Sequence, residues 1–366
     1  LDPTGQSITT TSWTLQMGAS LQLFDGFRRF NRLDAARSEV RAETQRHRRT
    51  RYETILAVKR AFYNAVAARE LIRVEQDRVK RQEDQLEFVR QQLDLGRANR
   101  SDLLRSRVDL NNARLALLNA ENDARAATFE LARVMGLRRR VAPVEAATLE
   151  VGPLPFDRQQ IMTRALEQGP AVRSARASAE AAEAQVATAR SPFLPSLSFQ
   201  GGWAWQNTDF PPENRSWSLS LQGSLPLFDG FQRESELYRA EAQAEAARAE
   251  ERSAVLQLRA DVDDAFSQVE SARAGVELAR RSVELSREDL RVTRERYRLG
   301  LATILDLQSA QITLLEAQVE LVQRRFDYQI GIARLESLLG TELDPGGAAG
   351  SPGPAPAGGP GAGEGR

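Results

Sequence analysis

The chain has no cysteine, a single histidine and no excess of either charge. Without cysteine there can be no disulfide framework and no thiol chemistry, a state compatible with an oxidising compartment. Its 50 basic and 50 acidic residues cancel, so no surplus of cations exists to neutralise phosphates, and this argues against nucleic acid as a partner. No run of about 18 apolar residues occurs, which removes a transmembrane helix from consideration. His47 lies in an arginine-rich stretch beside Arg48-Arg49, with no second ligand type nearby, and reads as a solvated face rather than a metal site. Arg138-Arg139-Arg140 follows a helix end, where cations are favourable. No Walker loop, dinucleotide-binding glycine pattern or nucleophile elbow is present. With neither a catalytic constellation nor a cofactor site in view, an enzyme is the least favoured class.

What the chain does contain is a long echo. Residues 13–136 return at 217–340 with a constant offset, 217 − 13 = 204, and no gap. Trp13 returns as Trp217, Leu23-Phe24-Asp25-Gly26-Phe27 as Leu227-Phe228-Asp229-Gly230-Phe231, Phe62 as Phe266, Leu95-Gly96 as Leu299-Gly300, Asp102-Leu103 as Asp306-Leu307, and Gly136 as Gly340. The period far exceeds that of solenoid repeats, so a large unit has been duplicated. Leu1 aligns with Trp205, and the second copy has helix and strand ahead of that point (157–204). A counterpart is therefore expected ahead of the first copy.

Three segments alternate with period two. Apolar residues occupy Trp13, Leu15, Met17, Ala19, Leu21 and Leu23; then Leu197, Phe199, Trp203 and Trp205; then Trp217, Leu219, Leu221, Leu225 and Leu227. Their partners are mostly Ser, Thr and Gln. A soluble sheet with one face on a core would show this pattern, and so would transmembrane barrel strands facing lipid outside and water inside. Four strands per chain, counting the expected fourth, cannot close a barrel, and lipid tolerates no open edge. The membrane alternative therefore requires several chains to share one barrel.

Between Phe231 and Leu299 the chain has no proline and one glycine, Gly275, enough for a helix of about 100 Å. Val255, Leu258, Val262, Ala265, Val269, Ala272, Val276, Ala279 and Val283 recur at spacings of three and four, a heptad seam. Val58, Ala61, Ala65, Ala68, Ile72, Val79, Leu86 and Val89 mark the same stripe in the first copy. After Gly300 a return helix is expected to run to Gly340, with Ile312, Leu315, Val319, Val322 and Phe326 as its seam. The expected organisation is a first repeat over 1–140, a connection over 141–170 holding Pro143, Pro153 and Pro155, a second repeat over 171–343, and a disordered Gly/Pro/Ala tail over 344–366. Pro170 should open an alanine-rich helix that ends near Arg190, before Ser191-Pro192. The fold class is mainly α with a small β part: antiparallel coiled-coil hairpins, each introduced by amphipathic strands.

Leu225-Pro226-Leu227-Phe228-Asp229-Gly230, the stretch from Tyr297 to Leu307 (YRLGLATILDL), Leu338-Leu339-Gly340 and the duplication itself carry a resemblance. Each motif is short, but in this order within two long-helix repeats the chain to about Gly340 resembles the outer membrane efflux protein family, the TolC-like channels of Gram-negative bacteria. The resemblance implies a homotrimer in contact with outer membrane lipid, with a shared transmembrane β-barrel in the outer membrane and an α-barrel tunnel across the periplasm. It implies no cofactor. It further implies a passive exit duct, in tripartite efflux or type I secretion, for small molecules or proteins. These are delivered by an inner-membrane efflux pump or ABC transporter through a periplasmic adaptor (membrane fusion) protein. Leu95, Gly96, Leu299, Gly300 and Leu301 look like the family's adaptor-contact tips, although the glycines also suit a plain tight turn. Asp102 and Asp306, six residues past each glycine, and Tyr297, three before the second, match the family's periplasmic gate. A ring of aspartates in a narrow pore favours cations. Both aspartates equally suit helix capping. Ala302 and Ser309 depart from the pattern, standing where a gate arginine and a second aspartate ring can occur. The rival class is a periplasmic coiled-coil adaptor or scaffold, which a single long hairpin would also allow.

Overall fold

A computed structural model describes residues 11–343 apart from 140, 145–148, 150, 153–156 and 212. The tail over 344–366 and the prolines at 153 and 155 lie outside the described residues. The elements run β1 (Trp13–Asp25), α1 (Arg28–Asp94), α2 (Arg100–Val134), α3 (Arg158–Gln168), α4 (Pro170–Arg190), β2 (Ser196–Asn207), β3 (Asn214–Ser224), α5 (Gln232–Arg298) and α6 (Ile304–Leu339). The duplication is written into the backbone. α1 and α5 start and stop 204 residues apart, and left-handed residues recur as Gly26/Gly230, Phe27/Phe231, Gly96/Gly300 and Gly136/Gly340.

By contacts the chain condenses into two compact units, each drawn from both repeats. One comprises Leu1–Thr50 and Gln168–Leu258, the other Arg51–Glu167 and Arg259–Arg366.

The first unit holds an antiparallel sheet in the order β1-β2-β3. Residues directly opposite one another across strands share a face, so the register assigns the faces. One face carries Leu15–Trp205–Arg215, Met17–Trp203–Trp217, Ala19–Gly201–Leu219 and Leu21–Phe199–Leu221, apolar except for Arg215. The other carries Thr14–Gln206–Asn214, Gln16–Ala204–Ser216, Ser20–Gln200–Ser220 and Gln22–Ser198–Gln222. The apolar face is bare: Met17 is 69% exposed and Trp217 69%. A soluble sheet would place a core there. The register shifts between Gln22 and Phe24, so Leu23 is the extra residue of a bulge and Phe24 comes opposite Leu197. Gly201 and Gly202 lie in unbroken pairing, and Gly201 has Leu219 Cδ2 only 3.1 Å from where a Cβ would stand.

Strand passes to helix by the same device in both copies. Gly26-Phe27 and Gly230-Phe231 are consecutive left-handed residues. The preceding aspartate then accepts from the first turn of the helix: Asp25 Oδ2 from Arg29 N at 3.0 Å, Asp229 Oδ2 from Arg233 N at 3.3 Å. Phe24 packs edge-on to Phe27 at 5.2 Å, and Phe228 to Phe231 at 5.5 Å. A phenylalanine at positive φ is strained, and its ring contact accompanies that strain in both copies. α4 fastens to the helices beside it: Asn31 Nδ2 donates to Ala187 O and Ser191 Oγ, both at 3.0 Å, and Arg176 and Arg190 pair with Glu251 and Glu241.

In the second unit the α5 seam is buried as its periodicity requires, from Val262 through Val283. Burying each valine or leucine contributes roughly 1.5–3 kcal/mol. The α1 seam buries Ala61, Ala65 and Val89 and half-buries the remainder. α6 corrects the sequence expectation. Its buried row is Leu307, Ala310 and Leu314, packed with Val283 and Leu290 of α5, while Ile312 and Val319 are exposed. The helix is apolar on two sides: of the stripe read as its seam, Ile312 and Val319 are exposed, Leu315 is half-buried, and Val322 is buried with Val66 and Ala67 of α1, with Phe326 packed beside them.

Candidate functional site at the hairpin tips

Each pair of long helices is joined by a five-residue reversal built on one scheme. In the first, Arg97 N donates to Gln92 O at 2.8 Å and Gly96 N to Leu93 O at 2.9 Å; in the second, Leu301 N donates to Arg296 O at 2.7 Å and Gly300 N to Tyr297 O at 3.0 Å. These are the paired bonds of a helix stop that needs a left-handed residue, supplied by Gly96 (φ 70°) and Gly300 (φ 74°). A capping box restarts the chain. Asn99 accepts from Asp102 N while Asp102 accepts from Asn99 N, and Thr303 and Asp306 do the same. Both aspartates are therefore engaged as helix caps. The bonds from Thr303 hold the exposed Asp306 carboxyl below its ordinary value.

The side chains differ where the backbone does not. The second tip offers Leu299, Leu301 and Leu305 to solvent; the first offers Leu95, with Arg97 and Ser101 at the other two positions. A cleft of 640 Å³ opens between the tips, lined by Phe88, Gln92, Arg97, Asp102, Tyr297 and Arg298 among others. Tyr297 meets Phe88 edge-on with ring centroids 5.9 Å apart, and the Arg298 guanidinium lies 5.6 Å from the centroid of the same ring. Burial, and after it the charge of Asp102, raises the Tyr297 hydroxyl above its ordinary value. The structure thus brings Asp102, Tyr297, Leu299 and Gly300 to one cleft, whereas Leu95, Gly96, Leu301 and Asp306 are not among its lining residues. Sequence reasoning missed Phe88 and Arg298. The available signal was their mismatch across the repeat, where the equivalents are Val292 and Asp94.

Comparison with known proteins agrees with this architecture. The family model described as outer membrane efflux protein matches residues 2–137 and 161–341. The protein CyaE of Bordetella pertussis is 30% identical over 236 residues, 61% of this chain and 48% of its own length. The chain spans about half the length of the curated relatives it matches. Among solved structures, CusC superposes with a TM-score of 0.81 at 20% identity, covering 93% of this chain and 80% of that one. The open state of the MtrE outer membrane channel of Neisseria gonorrhoeae superposes with a TM-score of 0.76 at 20% identity, covering 92% and 81%. These structural likenesses establish the fold, long helical hairpins with a small sheet. With its duplicated hairpins and its family match over most of its length, the chain belongs to the outer membrane efflux protein family.

Proposed function

We propose that this chain is one subunit of a trimeric outer membrane duct, a passive exit for cargo delivered by an inner-membrane pump through a periplasmic adaptor. The observation that carries the reading is the bare sheet. One face is apolar from Met17–Trp203–Trp217 to Leu21–Phe199–Leu221, with Arg215 beside Trp205 near its end, the other carries mostly Ser, Thr and Gln, and neither β1 nor β3 has an outer partner among the described residues. Such a sheet suits lipid on one side, water on the other and a neighbouring copy at each edge. Aromatic residues gather at both ends of the strands: Trp13, Trp203, Trp205, Phe210 and Trp217 at one, Phe24, Phe27, Phe228 and Phe231 at the other. Two such girdles are what a barrel places at the two membrane interfaces. The structural neighbours, CusC with its transmembrane channel formation and the outer membrane channel MtrE, support the same reading over the adaptor alternative.

In this reading the repeats 1–140 and 171–343, joined by 141–170, are quasi-equivalent walls of one tunnel. The hairpin tips Leu95-Gly96 and Leu299-Gly300-Leu301 meet the adaptor, and Asp102, Tyr297 and Asp306 narrow the periplasmic end. Extraction and planar bilayers test it. The chain should leave membranes only with detergent, run as a trimer and conduct; a monodisperse monomer released without detergent refutes it. Tyr297→Phe or Asp102→Ala should raise single-channel conductance, and unchanged conductance in both removes these residues from the gate.

A further inference from the structure

A groove of 400 Å³ opens close to the strand-to-helix junctions, among the first turns of α1 (Arg28, Arg32), the last turns of α4 (Gln185, Thr188) and the start of α5 (Glu236, Arg239). The chain as a whole carries no net charge, yet here three guanidinium groups line one space with a single carboxylate. They are not paired with it. The side chains of Arg28, Arg32 and Glu236 make no hydrogen bond or ion pair among the described residues, and Arg239 donates only to the Ser235 hydroxyl. Nearby arginines are engaged, Arg190 with Glu241 and Arg233 with Asp229.

Nothing in the fold asks for this cluster. Arg28 and Arg32 stand four residues apart on one helix face, where like charges destabilise the helix. The duplication does not impose it either: their equivalents in the second copy are Gln232 and Glu236, and the equivalent of Arg239 is Ala35. Uncompensated guanidinium groups, with the Thr188 hydroxyl and the Gln185 and Gln243 amides beside them, suit an oxyanion. Phosphate fits best, because the planar fork of arginine binds its oxygens in pairs. A second observation says what the phosphate belongs to. Arg239 also lines a shallow recess with Phe231, Tyr238 and Ala242. Phe231 is 68% exposed and Tyr238 72%, so an aromatic shelf adjoins the basic groove and shares an arginine with it. Phe231 lies in the turn that leads into α5.

We infer that groove and shelf together hold a phospholipid, with its phosphodiester among Arg28, Arg32 and Arg239 and the first part of an acyl chain along Phe231 and Tyr238. The inference rests on the membrane reading above, in which these turns lie at the edge of the bilayer. Basic and aromatic side chains in combination are what a bilayer interface recruits. With three cations to one anion, the groove favours a lipid of net negative charge. A lipid held there bridges α1, α4 and α5 where the strands give way to helices.

The test incubates the full chain in detergent with phosphatidylglycerol and counts the lipids it retains by native mass spectrometry. Light scattering on the same samples reads the assembly state. Arg28→Gln, Arg32→Gln and Arg239→Gln together should lower retention several-fold with assembly unchanged; retention at the level of the unaltered chain overturns the site. Glu236→Gln should raise retention, a gain that a misfolded variant cannot mimic, and the lack of any gain counts against the site. Diacylglycerol, which has the chains without the phosphate, should be retained several-fold less, and equal retention overturns the headgroup assignment. Inorganic phosphate at millimolar concentration should displace little of the lipid; full displacement makes the groove a site for free phosphate and overturns the lipid. A chain that leaves membranes without detergent fails the membrane reading itself, whereas a detergent-requiring assembly that retains no phosphatidylglycerol fails this site alone.

Discussion

The two hairpins share a backbone almost to the residue and differ in what they hang on it. The contrast is plainest midway along the helices. Hairpin one packs Ala65 of α1 in a cluster with Ala127 of α2. At the equivalent places hairpin two has Val269 on α5 and Gly331 on α6. A methyl group on Gly331 would stand 2.5 Å from Val269 Cγ2. Volume has moved from one helix to the other while the separation of the pair is kept. Close packing enforces such compensation, because an interior tolerates neither an added methyl group nor a void. The tips show the opposite behaviour: nothing packs against Gly96 or Gly300 within 4 Å, and there the copies have diverged in charge and apolarity without compensation.

That comparison can be broken experimentally. Gly331→Ala should cost about 1–3 kcal/mol by overpacking, and adding Val269→Ala should restore most of it, because the double variant copies the solution of hairpin one; thermal unfolding in detergent measures both. If the double variant is no better than the single, the two layers are not equivalent. Gly96→Ala and Gly300→Ala should each cost roughly 1–2 kcal/mol through the left-handed backbone alone. Equal losses support a shared turn, while a clear excess at one tip would mean that its surroundings also matter. Asn99→Ala and Thr303→Ala should each lose about 1 kcal/mol as caps are removed, read as increased amide exchange in the first turns of α2 and α6. The smallest effect is one of pH. Hydrogen bonding to Thr303 depresses the folded-state value of Asp306, so its contribution is present above the ordinary aspartate value and fades as pH falls through the depressed one. Exchange at the second tip should therefore rise on acidification in that range, and Thr303→Ala should flatten the response.

Much of this was legible beforehand. α4 runs from Pro170 to Arg190 as expected, because proline suits a first helical turn and Ser191-Pro192 cannot continue the helix. β1 and β2 fell where period-two alternation placed them, β3 stopped at Ser224 short of Leu225 and Leu227, and the α5 seam lay where its heptads placed it. The α6 stripe was misread for a physical reason: Ile312 and Val319 repeat with the same period as Leu307 and Leu314, and periodicity cannot say which face meets a helix of the same chain. The bulge at Leu23 was hidden because leucine at 21 and 23 looks like unbroken alternation. Of the tip residues, those fixed by backbone demands were readable from glycine and aspartate spacing. Phe88 and Arg298 were not, since their contacts join helices far apart in sequence.

The sheet has a consequence for the life of the molecule before assembly. Among the described residues a lone copy shows a row of unpaired backbone groups along each outer strand and a wall of tryptophan and leucine beside them. Both invite indiscriminate strand addition. In the proposed trimer the vulnerable species is the newly made subunit in transit, and the rate at which copies would find one another competes directly with loss to aggregation. Overproduction, which lengthens the queue of unassembled copies, should be more damaging to yield than any single weakening substitution in the helices.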